Sequence, residues 1–189
     1  MADYALVSES FLGGYQQEFP GARLEELTGL SMVSVACPLG GRDRLATATR
    51  SAWSAELPAA GQSSQSADGR VRIFSMSPDQ FFVLAWDGTE LSADSVYGML
   101  GNTGYYTDQS DSWLALRLTG SDATKALERI CPVDLDPANF TPGSTARTAM
   151  EYMGTVVHKL GEDDFLLLSA SSSARSFLHA VETSIRNMS

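Results

Sequence analysis

Apolar and polar positions along this chain follow two alternating periods, and their clearest expression runs from Trp113 to Thr148. Leu114, Leu116 and Leu118 share one face of Trp113–Leu118, which predicts a half-buried strand. Gly120 turns the chain, and Ser121 stands where a helix cap belongs. Ala123, Ala126, Leu127, Ile130 and Cys131 then recur at helical spacing, until Pro132 stops the helix. The loop from Asp134 to Gly143 is too rich in Pro, Gly and Asp for a helix or a central strand. Its two large apolar residues, Leu135 and Phe140, are expected to pin it to an apolar surface.

Upstream, residues 1–29 show no sustained period. Phe11, Leu12, Tyr15 and Phe19 are scattered among Gly13, Gly14, Pro20 and Gly21, so this arm is expected to bury little on its own body. Two readings stand: a frayed terminus, or an arm whose aromatic residues dock onto a partner chain. Regular structure is expected from Leu30, beginning with a strand over Met32–Ala36. A Gly40–Gly41 turn leads to a helix capped by Asp43, with Leu45, Ala48, Ala52 and Trp53 inward and Pro58 as its stop. Residues 62–66 read as a polar surface loop. Strands follow at Val71–Phe74 and Phe81–Trp86, the second apolar throughout and therefore central. A short helix capped by Ser92 faces inward with Val96, Met99 and Leu100, and a strand at Tyr105–Thr107 closes this part.

The last third repeats the theme. One or two strands are expected within Ala146–Leu160, a turn at Gly161–Asp164, a buried strand at Phe165–Leu168 and a C-terminal helix. Ala174, Phe177, Leu178, Val181 and Ile185 form that helix's buried face. Corresponding elements recur about 80 residues apart, too far for a solenoid unit. The expected fold class is α+β: two ferredoxin-like halves, 30–110 ordered βαββαβ and 111–189 ordered βαββα, after an N-terminal arm over 1–29. The second half would need a strand from elsewhere to be complete.

Composition narrows the partners. The formal net charge of −10 argues against nucleic acid and anionic membrane surfaces. No apolar run approaches the ~20 residues of a membrane-spanning helix, and no secretory leader is visible. Cys37 and Cys131 each end an apolar run beside a proline and read as free thiols, so a reducing, cytoplasmic setting is expected.

Little in the sequence carries reaction chemistry. His158 and His179 lack a carboxylate or cysteine at ligand spacing and read as surface or boundary residues. Gly161–Asp164 lacks the alternating oxygen ligands of a calcium loop, and Ser171–Ser173 lacks the glycines of a nucleophile elbow. No phosphate loop or dinucleotide fingerprint is present, and the aromatics at Phe74, Phe81, Phe82 and Trp86 read as core. The polar residues singled out are Asp134 and Arg147, which flank the central loop and would fix it as an ion pair, and Arg175 at the start of the last helix. There a cation opposes the dipole and calls for a nearby carboxylate. With Trp113 and Phe140, these are the candidate structural or interface residues; catalytic, cofactor-binding and metal-binding residues are expected to be absent.

The central stretch resembles the gamma subunit of heterotetrameric sarcosine oxidase. The residues that carry the resemblance are Thr107–Ser110, Trp113, Leu116, Leu118–Gly120, Leu127, Cys131–Pro132, Asp134–Leu135, Pro137, Phe140, Gly143 and Ala146–Thr148. Asp164–Phe165 and Ala174–Phe177 continue it, over about residues 70–185. Where the family usually has a Pro-Arg-Ser-Phe-type run before the last helix, this chain has Ala170–Ser173. The resemblance implies a fold like that of the folate-binding T-protein of glycine cleavage. It also implies a non-catalytic subunit that stabilises a flavin-dependent complex with alpha, beta and delta partners. Such a complex demethylates sarcosine or a related N-methyl amino acid oxidatively and passes the one-carbon unit to tetrahydrofolate. FAD, FMN, NAD, tetrahydrofolate and zinc would then belong to the other chains. Two rival readings are a free-standing folate-binding one-carbon transferase, for which Asp134 is the candidate carboxylate, and a plain homo-oligomeric scaffold.

Overall fold

Alternation in the strands decides how this chain is layered. Residues 9–188 are described by the structure, a computed structural model, and residues 1–8 and 189 lie outside it. In chain order the elements are β1 (Gln16–Phe19), β2 (Ala22–Glu26), β3 (Ser31–Ala36), α1 (Arg42–Trp53), β4 (Ser63–Gln65), β5 (Val71–Ser77), β6 (Gln80–Ala85), α2 (Ala93–Leu100) and β7 (Tyr105–Asp108). Then come β8 (Trp113–Thr119), α3 (Ala123–Glu128), β9 (Thr145–Met150), β10 (Met153–Gly161), β11 (Asp164–Ala170) and α4 (Ala174–Arg186). They form two antiparallel sheets, ordered β4-β5-β6-β3-β7 and β1-β2-β8-β11-β10-β9.

On one face of the first sheet Val33, Val35, Ile73, Phe81 and Val83 pack against Leu45 and Trp53 of α1 and Val96 and Leu100 of α2. On one face of the second sheet Leu114, Leu116, Leu118, Val157, Phe165 and Leu167 pack against Leu127 of α3 and Phe177, Val181 and Ile185 of α4. The alternate residues of both sheets, among them Met32, Phe74, Phe82, Leu84, Ala115, Val156, Leu166 and Leu168, form a third core between them. The molecule is therefore layered helix, sheet, sheet, helix. This layering buries β8 on both faces, so it is a fully covered strand and not the half-buried one that three leucines predict.

Each half contains the ferredoxin-like sheet order. The first is β5-β6-β3-β7, with β4 added at its edge. The second is β10-β11-β8-β2, with β9 and β1 at its edges. Its missing strand comes from the N-terminal stretch: Leu24 pairs with Leu118 and is fully buried. The expectation that regular structure starts at Leu30 is thereby corrected. A short alternating segment, Ala22-Arg23-Leu24-Glu25-Glu26, finds its partner some 90 residues downstream, where no local period can announce it.

Two glycines make this docking possible. A Cβ on Gly120 would lie 2.4 Å from the carbonyl oxygen of Gly21 and 2.9 Å from Cα of Ala22, and Gly120 has φ +114°. The same contact carries a hydrogen bond, Asp122 N–H donating to Gly21 O at 3.0 Å. The turn after β8 is thus shaped to receive the β1–β2 hairpin. Polar groups complete the docking. The buried Glu26 carboxylate accepts the N–H groups of Leu12 and Gly14, and the Tyr15 hydroxyl donates to Glu182 on α4. Burial, then that hydrogen bond, pushes the Tyr15 hydroxyl well above the usual phenol range. Arg186 lies 5.7 Å from the Phe19 ring centre.

Several local expectations are corrected. Ser63–Gln65, within the expected surface loop, pairs along β5 as an edge strand. Gly41 precedes α1 without a side-chain cap, and the helix ends at Trp53 with Ser54 left-handed, before Pro58 is reached. Asp122, not Ser121, precedes α3, again with no side-chain cap bond. Met99 is exposed, while Ser92 does cap α2 and forms a reciprocal pair with Ser95. No helix among the described residues is long and apolar enough to cross a membrane.

Candidate functional site

The third core, between the sheets, is apolar only in its middle. Toward one end, positions that continue the same alternation become charged or polar: Arg72 on β5, Arg117 on β8, His158 on β10 and Asp164 at the start of β11. Each half contributes, so the site is a seam between them. Backbone bonds join the halves at its margin, Ser63 N–H to Gly143 O at 2.8 Å and Thr145 N–H to Gly61 O at 2.9 Å.

Three adjoining cavities of 300, 470 and 270 Å³ share Arg72 in their walls. The Arg72 guanidinium lies 4.3 Å from the centre of the Trp86 ring. Desolvation lowers its pKa from the ordinary arginine value, opposed by the fields of Asp87 and Asp164. Arg117 instead holds Asp164 in a two-pronged pair, Nε to Oδ1 at 3.0 Å and Nη2 to Oδ2 at 2.8 Å. That hydrogen bond raises the Arg117 pKa.

His158 is 2% exposed, which corrects the surface or boundary reading. Its ring stacks on Phe74 with centroids 4.3 Å apart. Nδ1 lies 3.0 Å from the carbonyl oxygen of Ser144, which can only accept, so Nδ1 carries the proton and Nε2 is a free acceptor. Desolvation, reinforced by the Arg72 charge, lowers the ring to a pKa of about 4. It is neutral at physiological pH. Lys159, next in the chain, points to the other face, where its ammonium lies 5.5 Å from the Phe165 ring centre.

The residues singled out from sequence are not brought together. Trp113 is half-buried in the seam and meets Phe82 edge-on at 5.4 Å. Phe140 is buried in the outer core of the second half and, with Leu135, pins the central loop as expected. Asp134 and Arg147 form no ion pair. The Asp134 carboxylate accepts from Asp136 N at 3.0 Å and Asn139 Nδ2 at 2.7 Å, closing its own loop. Arg147 is exposed on β9 opposite Val156, and Arg175 is exposed on α4 with no ion pair among the described residues. Sequence reasoning passed over Arg72. Its signal was its place between Val71 and Ile73, which turns its side chain to the same face as Phe74.

The seam offers charge, aromatic stacking and one neutral imidazole, but no nucleophile paired with a base. Among the described residues no group of three or more His, Cys, Asp or Glu is placed to hold a metal ion. Both cysteines are free, and burial pushes both thiols up in pKa.

No family model matches the chain. It is similar in sequence to the sarcosine oxidase gamma subunit of Corynebacterium sp. strain P-1, 28% identical over 104 residues, 55% of this chain and 51% of the relative. The gamma subunit of an Arthrobacter species is 27% identical over 108 residues, 57% of this chain and 53% of the relative. That of Corynebacterium sp. strain U-96 is 28% identical over 125 residues, 65% and 60%. The chain thus spans between 51% and 60% of the length of these curated relatives. In fold it is similar to a chain of the heterotetrameric sarcosine oxidase from Corynebacterium sp. U-96, with TM-score 0.76 and 24% identity over 88% of this chain and 84% of that one. It is also similar to glycine cleavage system aminomethyltransferase T from Bartonella henselae, with TM-score 0.60 and 17% identity over 85% of this chain and 45% of that one. The T-protein-like fold that the resemblance implies is present.

Proposed function

Taking the likeness to sarcosine oxidase gamma subunits as the premise, we propose that this chain is a non-catalytic gamma-type subunit of a heterotetrameric, flavin-dependent oxidase. The observation that carries this reading is the fold match over 88% of the chain, in line with three gamma-subunit relatives. The complex would demethylate sarcosine or a related N-methyl amino acid oxidatively, with transfer of the one-carbon unit to tetrahydrofolate. Its alpha, beta and delta chains would hold FAD, FMN, NAD, tetrahydrofolate and zinc. This chain's contribution would be assembly and stability, in the cytoplasm.

Large apolar side chains left in solvent support a docking role. Leu39 and Tyr152 are fully exposed, and Tyr97 and Tyr105 at least half so. The rival reading, a free-standing folate-binding transferase, loses its carboxylate, because Asp134 is spent on its own loop and lies in none of the three seam cavities.

The test is to tag this chain in its host and purify it gently. Co-purification of larger chains with flavin absorption and sarcosine-dependent oxygen uptake is expected. A colourless homo-oligomer or monomer from cells that oxidise sarcosine would overturn the proposal.

A further inference from the structure

Three arginines of the described chain are partly buried: Arg23, Arg72 and Arg117. Arg23 is paired with Glu18 and Glu25, and Arg117 with Asp164. Arg72 has no carboxylate within ion-pair distance among the described residues, and its one hydrogen bond, to Gly69 O, is long at 3.4 Å. A partly desolvated cation without an anion is costly to leave that way. Asp164, which holds Arg117, and Asp87 act on it only through their fields, from beyond ion-pair distance. Stacking on Trp86 fixes the guanidinium plane and leaves its edge as the donor surface.

A second observation points into the same space. His158 is 2% exposed and lines the 300 Å³ cavity beside Arg72, and its Nε2 has no hydrogen-bond partner among the described residues. Unlike Thr155 Oγ1, which is sealed without a partner, this nitrogen opens onto the cavity, where its lone pair can take a donor. The cavity wall contains no carboxylate, although the chain as a whole carries a net charge of −10. The edge strand β4 adds Gln65 to the wall, whereas the Ser63 and Ser64 hydroxyls already donate to Gly143 O and Glu56 O.

We propose that this cavity is a binding site for a small oxyanion that also carries a hydrogen-bond donor, held by the Arg72 guanidinium at its charged oxygens and by His158 Nε2 at its donor. The two contacts come from opposite halves, so an occupant ties β5 to β10 across the seam. A volume of 300 Å³ has room for a monoprotonated phosphate or a short hydroxy carboxylate together with several waters. The inference stands on the geometry of the seam and does not rest on the subunit reading above.

The chain has two histidines, which makes the test direct. The full chain, labelled with nitrogen-15 in its imidazoles, is titrated at constant ionic strength with inorganic phosphate, glycolate and acetate. A saturable shift of His158 Nε2 is expected for phosphate, glycolate or both, with exposed His179 as the internal control. Half-saturation is expected on the order of millimolar. Acetate, which lacks the separate donor, should bind several-fold more weakly than glycolate. The response to phosphate alone names a phosphate site, and to glycolate alone a carboxylate site. Arg72→Gln should weaken binding about tenfold or more. If that variant does not fold, Arg72→Lys, which keeps the charge and loses the planar edge, should still weaken it several-fold. No His158 shift up to about 50 mM of either anion, a shift that sodium chloride reproduces, or unchanged affinity in a folded Arg72 variant would overturn the assignment.

Discussion

The two halves of this molecule share a sheet order but not a way of completing it. In the first, β7 follows α2 in the chain and pairs with β3 beside it. In the second, no strand follows α4 among the described residues, and the matching place beside β8 is filled by β2, which comes from upstream of both halves. The difference shows that what the fold needs is a strand with the right face in the right place. Chain order is secondary. It also shows in burial. β7 is short and mostly exposed, whereas β2 sends Ala22 and Leu24 into the core beneath α3 and α4. The first half owns its edge, and the second depends on a visitor.

The comparison breaks most sharply at the turn after each half's first strand. Gly120→Ala would drive a Cβ into the Gly21–Ala22 backbone at a φ of +114°, so a loss of about 4 kcal/mol is expected in urea unfolding. Gly40→Ala, in the corresponding turn of the first half, meets nothing within 4 Å and has φ +71°, so a loss of about 1 kcal/mol is expected. Equal losses at the two sites would mean that the visiting hairpin is not what Gly120 serves.

Leu24→Ala is the next largest test. Leu24 is fully buried, and its truncation should cost roughly 3–4 kcal/mol by the same unfolding measurement. Tyr106→Phe on β7 removes the hydroxyl's hydrogen bonds to Gly101 O and Thr103 Oγ1 and should cost only about 1 kcal/mol.

The seam gives a pH test. His158 has a folded pKa of about 4 against 6.5 for an unperturbed ring. Below 6.5 the unfolded chain takes up a proton that the folded one refuses. The stability tied to His158 is therefore fully present above about pH 6.5 and is withdrawn as pH falls toward 4, to a total of about 3 kcal/mol. His158→Phe should flatten that slope between pH 6.5 and 4, which thermal unfolding across the window would read. An effect as small as that at Tyr106 is expected at Ser92. Ser92→Ala removes the reciprocal cap of α2 in the first half and should cost about 1 kcal/mol by denaturant midpoint.

How far the sequence spoke depended on the range of the interaction. The apolar runs at Phe81–Ala85 and Phe165–Leu168 and the stripe Phe177, Val181, Ile185 were legible because each carries its own period. β4 was not, since Ser63-Ser64-Gln65 is a strand only because β5 offers it an edge. β2 was not, because its partner is distant in the chain and its inward positions include Glu26, an acid made tolerable by two backbone donors. The candidate site was the least legible part. His158 sits in a segment that could equally face water, and only the first sheet, laid against it through Phe74, makes it interior. Asp134 and Arg147 flank the same loop, but proximity along a chain did not become proximity in space, because the Asp134 side chain folded back on its own turn.

The late arrival of β8 has a consequence for synthesis. On the ribosome, Ala22–Glu26 emerges early and must wait until Trp113–Thr119 has been translated before its leucine has anywhere to go. The first half, whose strands are all encoded by Asp108, can consolidate during that interval. A nascent polypeptide stalled between these points would carry one finished lobe and an unsheltered hairpin, a species that chaperones would be expected to hold and that a truncated transcript would leave unmatched.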